Sequence, residues 1–316
     1  MEVLAYAKLN LTLRVVGRRP DGYHELQSLV TAVDLADRIT LTPAEHGVEL
    51  VAPPQLGPVE RNLALRAARA ILPEDGPGVR IALDKRIPAG AGLGGGSSDA
   101  AAVLAGVNEL FSLGRSPDKL CELGAALGAD VPFFLGPSPA WVEGIGDRIA
   151  PVEVALPSAF LILVPPFRCP TPDVYQAFDE LRLPLSSAVE ITTDERGTPG
   201  MPPVVLDQTH GSDGSASRDA SANSTSLRWE SESGNGTIAN DLWPAAVHLF
   251  PELRSLWRLL DTVAMDGVGM TGSGSALFAP FASWGAAEAA RARLLPGVDG
   301  DLFVASPIPW GYLIRA

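Results

Sequence analysis

Apolar and polar residues alternate along Leu9–Val16 (L-N-L-T-L-R-V-V), a stretch rich in β-formers that predicts a strand. Arg18–Gly22 (R-R-P-D-G) has the Pro-Asp-Gly chemistry of a turn, and Leu29–Leu41 predicts a further strand pair. Asn62–Leu72 has helical spacing and is ended by Pro73, while Val79–Ile87 alternates into a strand that stops at Pro88. Across Ser98–Phe111 the apolar residues Val103, Val107, Leu110 and Phe111 share one helical face, with Gly114 as a natural stop. Ser116-Pro117-Asp118 caps the next helix, which Gly128 ends. Phe160–Val164 is continuously apolar, as expected of a central strand, and Thr171-Pro172-Asp173 opens a helix with Thr171 as a candidate cap. Val268–Pro280 predicts strand, Gly-rich turn and strand. Ala286–Leu295 follows as a short helix and Leu302–Ala305 as a closing strand.

Helices and strands mix here without a repeating βαβ rhythm, so the expected fold class is α+β. A chain of 316 residues exceeds the usual size of one core. It is expected to divide near Pro151 into an N-terminal domain, 1–152, and a C-terminal domain, 153–316. A segment from about 185 to 236 stands apart, being rich in Ser, Gly, Asp and Asn with almost no apolar pattern. Ordering roughly 50 residues costs on the order of 50–100 kcal/mol of backbone entropy. The few apolar residues there cannot offset that, so a disordered insertion is expected.

Charge and composition then exclude whole classes of function. A formal charge of -13 argues against a nucleic-acid or anionic-membrane surface. It leaves room for a small basic pocket that takes a phosphorylated ligand. Cys121 and Cys169 have no paired spacing, which excludes a zinc site or disulfide framework and fits a reducing cytosol. The start, M-E-V-L-A-Y-A-K-L-N-L-T-L, has no basic leader with a long apolar run behind it. The apolar run before Pro165 is too short to span a bilayer. A cytoplasmic protein, monomeric or homodimeric, is the expectation.

Pro88–Ala102 reads P-A-G-A-G-L-G-G-G-S-S-D-A-A-A and joins a predicted strand to a predicted helix. Glycine at this density lets a bulky group approach the backbone, and the first turn of a helix offers unpaired N–H groups and positive potential. Ser97 and Ser98 add hydroxyls, so a polyphosphate is the natural tenant. A flexible connector is the plainer alternative. A dinucleotide fingerprint is matched by Gly90, Gly92 and Gly95, but equally by Gly267, Gly269 and Gly272, and the expected acidic residue after a second strand is missing. No G-x-x-x-x-G-K-[ST] occurs.

The stretch resembles the phosphate-binding motif of the galactokinase, homoserine kinase, mevalonate kinase and phosphomevalonate kinase (GHMP) superfamily. A-K-L-N-L-T-L resembles the superfamily's first motif and V-G-M-T-G-S-G-S-A-L-F-A its third. P-D-G-Y-H-E-L-Q-S-L, L-G-A-D-V-P-F-F and P-T-P-D-V-Y are similar to its branch that phosphorylates a cytidylyl-linked methylerythritol in the non-mevalonate route to isoprenoids. The likeness spans nearly the whole chain except 185–236. It implies a two-domain GHMP-kinase fold with the cleft between domains and ATP as phosphate donor; the chemistry adds the expectation of Mg2+, held mainly by nucleotide and water. The rivals are a homoserine or mevalonate type of kinase and a non-catalytic ligand sensor on the same fold. Retention of both Lys8 and Asp130 argues against the sensor.

The resemblance assigns Pro88, Gly90, Gly92, Leu93, Gly94, Gly95, Gly96, Ser97 and Ser98 to the nucleotide. Asp130, ahead of rigid Pro132, is the candidate base, against the plain alternative of a turn aspartate. Lys8 lies in an apolar strand, where an unpaired ammonium is costly. The resemblance sets it beside Asp130, whereas a lysine snorkelling from an edge is the alternative. Asn10, on the same strand face, is implied to meet the erythritol end. Tyr23 and His24 offer an aromatic face and a hydrogen-bonding ring for a pyrimidine, and Tyr175 is implied to supply the opposite face. Thr171, Gly272 and Ser273 complete the implied substrate pocket, and no dedicated metal ligand is assigned.

Overall fold

In a computed structural model, residues 1–73, 75–188 and 238–315 are described in full, with the backbone alone of two short strands between them. The polar insertion expected at about 185–236 lies, for nearly all its length, outside the described residues.

The first half of the chain is built on one large sheet. β1 (Glu2–Asn10), β2 (Arg14–Arg18), β3 (His24–Ala44), β4 (Val48–Val51) and β5 (Gly78–Asp84) precede the Gly-rich loop, with α1 (Leu63–Ile71) between β4 and β5. The single strand expected over Leu9–Val16 is two strands, because the chain turns out of β1 at Leu11, where Leu13 makes an isolated bridge to Asn240 in the second half. The pair expected over Leu29–Leu41 is one 21-residue strand, long enough to pair with β1, β2 and β5 along its length. α2 (Gly95–Leu110) begins three residues earlier than its apolar face indicates, because Gly95 and Gly96 form its first turn. Next come α3 (Pro117–Leu127), capped by Ser116 Oγ, α4 (Val131–Leu135), β6 (Ala140–Gly144) and β7 (Arg148–Pro151). The main strand path runs β4–β5–β3–β1, with β6 and β7 attached beside β3, and α1 to α4 cover one face over a common core.

The second half is a smaller antiparallel sheet. β8 (Ala159–Val164) is buried throughout, as its unbroken apolar run requires. After α5 (Thr171–Glu180) come β9 (Thr192–Thr193) and β10 (Pro199–Gly200), which pair only with each other. α6 (Trp243–Leu249), α7 (Glu252–Asp261), β11 (Gly269–Met270), β12 (Leu277–Phe281), α8 (Trp284–Leu294) and β13 (Asp301–Ala305) follow. The order β11–β12–β8–β13 places β8 between β12 and β13. β13 does not close the chain: β14 (Pro307–Ile308) returns to β3 and β15 (Tyr312–Arg315) pairs with β1. Those last residues are too short and mixed to announce themselves, and only their pairing defines them. Among the described residues no helix is long and apolar enough to cross a membrane.

The α+β architecture expected from the sequence is the one observed. A third core binds the two sheets together. Leu9, Leu29 and Trp141 from the first pack with Phe160, Ile162 and Phe278 from the second. Phe160 and Phe278 meet edge to face at 5.8 Å, both fully buried. Ala91 and Leu93 of the Gly-rich loop are buried in the same core, so the loop is rooted where the halves meet. Phe160→Ala is expected to lower unfolding free energy by about 3–5 kcal/mol through the cavity it leaves. Urea denaturation of the variant and wild type reads this directly, and a change below 1 kcal/mol, on the order of a surface substitution, would contradict the shared core.

Candidate active-site cleft

The Gly-rich loop is fixed from both sides before any ligand arrives. The Lys8 N–H donates to the Leu93 carbonyl at 3.0 Å, and the Ala276 N–H donates to the Ala91 carbonyl at 3.1 Å. Between these anchors Gly92 takes φ +78°, and a Cβ there would stand 2.3 Å from the Thr271 carbonyl oxygen. Only glycine tolerates both the dihedral and the contact. Gly94 enters α2 in the left-handed region and no side chain caps the helix, so the first-turn N–H groups have no intrahelical acceptor. Gly96 is different: the nearest atom to its Cβ direction is Leu63 Cδ1 at 3.9 Å. Protein packing does not demand glycine at 96, and its bare face opens on the cleft.

That cleft has a volume of about 970 Å³. All the site residues named from the sequence line it except Ser98. Ser98 is fully buried and its Oγ has no hydrogen-bond partner. One helical step past Ser97, its side chain turns inward, which corrects its expected part as a hydroxyl donor to phosphate. Ser97 remains half-buried at the cleft wall.

Opposite the loop, Lys8 Nζ stands 3.9 Å from Asp130 Oδ2. Lys8 is buried, whereas half of the Asp130 side chain is exposed to the cleft. Burial pulls the Lys8 ammonium below its ordinary pKa and the Asp130 charge pulls it back up. Asp130 precedes the first turn of α4 but makes no capping bond, which leaves its carboxylate available. Asn10 lines the cleft beside Lys8. Its Oδ1 accepts from Lys8 Nζ and its Nδ2 donates to Ser28 Oγ at 2.8 Å, so the amide orients the lysine.

At the other end, the exposed ring of Tyr23 stands at the mouth, 63% accessible. His24 is buried, its ring stacked on Tyr175 at 4.9 Å and 25°, with Nε2 2.9 Å from Asp179 Oδ1. One face and one nitrogen of His24 are therefore taken by protein. It lines the pocket, with Asp179 on α5 reaching across to β3. Thr171 is not a cap either: Pro170 holds that position, and Thr171 Oγ1 pairs with Ser273 Oγ at 2.9 Å.

The sequence reading missed a buried charge cluster at the loop's rear. Lys85 Nζ donates to Asp37 and, at 2.8 Å, to Asp99 Oδ2. Asp37 Oδ1 also accepts the Arg86 and Ile87 N–H groups at 2.6 and 2.8 Å. Two carboxylates and one ammonium out of water carry a net negative charge, which one extra proton cancels. Burial pushes the Asp99 carboxyl up to about 8, and its Oδ1 has no partner. Lys85 and Asp99 both line the cleft. Asp99 stood in view within G-G-S-S-D, but its partner on β3, Asp37, has no local signal. Among the described residues no group of three His, Cys, Asp or Glu is placed to hold a metal ion.

Comparison with known proteins follows the same geometry. Residues 62–136 match the family described as GHMP kinases N terminal domain. The 4-diphosphocytidyl-2-C-methyl-D-erythritol kinase of Citrifermentans bemidjiense is 39% identical over 299 residues, 93% of this chain and 94% of that one. The protein of the same name from Syntrophotalea carbinolica is 36% identical over 315 residues, covering 96% and 98%. A crystal structure of 4-(cytidine 5'-diphospho)-2C-methyl-D-erythritol kinase superposes with a TM-score of 0.70 at 35% identity, covering 97% of this chain and 99% of that one.

Asp99 gives a pH test. Its folded pKa lies above its unfolded value, so the stability it contributes is fully present below the unfolded pKa and is lost as pH rises towards about 8. Asp99→Asn, which cannot ionise, escapes that loss. Thermal melts between pH 5 and 8 are expected to shift progressively in the variant's favour relative to wild type. A gap that stays constant with pH would contradict a protonated Asp99.

Proposed function

We infer the reaction from the family to which this chain belongs, the 4-diphosphocytidyl-2-C-methyl-D-erythritol kinases: it is an ATP-dependent kinase that phosphorylates that compound in isoprenoid precursor synthesis. The hydroxyl we assign as acceptor is the 2-hydroxyl. The observation that carries the assignment of parts is the facing of two features across one cleft, the uncapped first turn of α2 and the Lys8–Asp130 pair.

In this reading the triphosphate lies over Gly94–Ser97, where N–H groups and helix dipole meet its charge. The cytidine end lies at the mouth by Tyr23 and Tyr175, with His24 and Asp179 as the wall behind. That places the methylerythritol between, its hydroxyl towards Asp130. The hydroxyl oxygen bonds to the γ-phosphorus as the bond from that phosphorus to the β-bridging oxygen breaks, and ADP leaves. The hydroxyl proton passes to the Asp130 carboxylate. Lys8, oriented by Asn10, neutralises charge at that carboxylate and at the developing alkoxide. The donor set suits magnesium brought in on the nucleotide phosphates: the cleft offers the Ser97 hydroxyl and no cluster of carboxylates among the described residues. Bound there, it supplies charge neutralisation to the phosphates. A reducing, cytoplasmic setting belongs to the same proposal, since Cys121 and Cys169 are both free thiols. The aromatic mouth favours a cytidylyl substrate over homoserine or mevalonate, which carry no base to stack.

Asp130→Asn is expected to lower kcat by about 10²–10⁴ if the carboxylate takes the proton, with ATP affinity retained. Wild-type turnover in that variant removes Asp130 from the chemistry. Tyr23→Ala is expected to raise KM for the cytidylyl substrate by roughly 5–150-fold, the scale of one base–aromatic stack, and to leave KM for ATP within twofold, about the noise of such comparisons. Equal effects on both would place Tyr23 elsewhere. ATP consumption with the cytidylyl substrate, set beside homoserine and mevalonate, tests the reaction itself. Turnover of either rival in preference to the cytidylyl compound overturns it.

A further inference from the structure

The cations in the cleft are mostly spoken for. Lys8 is matched by Asp130 and Asn10, and Lys85 by Asp37 and Asp99. A nucleotide triphosphate and a diphosphate ester together bring more negative charge than backbone N–H groups alone neutralise. Arg61 lines the cleft wall, and a further arginine outside the recognised motifs, Arg168, reaches the loop from the other half of the molecule. Arg168 lies between β8 and α5, in the second half of the molecule, yet its side chain crosses the phosphate loop of the first. A Cβ on Gly90 would stand 2.8 Å from Arg168 Cδ, 3.3 Å from Cγ and 3.4 Å from Nε. Gly90 itself lines the cleft and sits at φ +74°, so the arginine stem fills a face that any other residue would occupy.

The base of this side chain is held rigidly on both sides. The Phe167 carbonyl accepts from Ser275 Oγ at 2.7 Å, the Phe167 ring stacks on Phe250 at 5.7 Å, and Cys169 is buried. Arg168 itself is exposed, and among the described residues no carboxylate pairs with it. A guanidinium kept unpaired on a rigid base beside a phosphate loop is preorganised for a phosphoryl oxygen.

We propose that Arg168 is a phosphate-binding residue of this cleft, supplied to the loop from the opposite half of the molecule. It takes an anionic oxygen of either the ATP polyphosphate or the diphosphate of the cytidylyl substrate. The inference rests on the reading that both ligands occupy this cleft. Arg168→Met keeps the stem over Gly90 and removes the charge, while Arg168→Lys keeps the charge and removes the planar fork. Calorimetric titration with ATP and steady-state KM for both ligands are measured on wild type and the two variants. Arg168→Met is expected to weaken one ligand by roughly 10–100-fold, the loss of a charge-assisted contact, and Arg168→Lys to recover part of it. A change in the ATP constants assigns the triphosphate, and a change in KM for the cytidylyl compound assigns the diphosphate. Either supports the proposal. Both constants unchanged in Arg168→Met would overturn it and reduce Arg168 to packing. Wild type that takes up neither ligand would instead defeat the underlying reading of the cleft.

Discussion

Two backbone hydrogen bonds, from Lys8 to the Leu93 carbonyl and from Ala276 to the Ala91 carbonyl, pin the Gly-rich loop between the sheets, and the cleft takes its form from that clamp. The loop cannot hold side chains at this spacing: Gly92 lies against the Thr271 carbonyl, and a methyl there would overlap it. Ala91 and Leu93, the residues between the glycines, do the opposite and sink into the core shared by both halves. Glycine outward and apolar residue inward is therefore one device. It sets the N-terminal turn of α2 at the seam of the molecule, where ligands can touch both halves.

Charge follows from the same placement. An acidic protein binds two anionic ligands by concentrating backbone dipole and a few cations at one place, and it neutralises the buried ones internally. Lys85 ties β3, the end of β5 and the N-terminal part of α2 into one unit through Asp37 and Asp99. Burial pushes the Asp99 carboxyl up to about 8, which favours its neutral form and lessens the negative charge that would repel phosphate at the loop's rear. Lys8 is buried on the opposite wall with Asp130 as its open partner, and this asymmetry leaves the carboxylate reachable from the cleft.

Much of this was legible in the sequence where chemistry is local. Period and caps located α1, α3 and β8, because an N-cap serine or a fully apolar run carries its own signal. The quoted motifs named the glycine loop, Lys8, Asp130 and the aromatic mouth, all of which line the cleft. What stayed hidden depends on partners distant in the chain. Asp37 acquires meaning only beside Lys85 and Asp99, and Asp179 only when α5 brings it to His24. β15 is a strand only because β1 is next to it. Ser98 shows the reverse error, since two adjacent serines look alike in sequence and a helix turns them to different faces.

A crystal of the enzyme with a non-hydrolysable ATP analogue and the cytidylyl substrate tests the central claim most directly. The account predicts the terminal phosphoryl group against the first turn of α2, with the substrate's 2-hydroxyl within hydrogen-bond reach of Asp130, roughly 2.6–3.2 Å. A triphosphate bound away from Gly94–Ser97, or an Asp130 with no hydroxyl near it, would contradict the account.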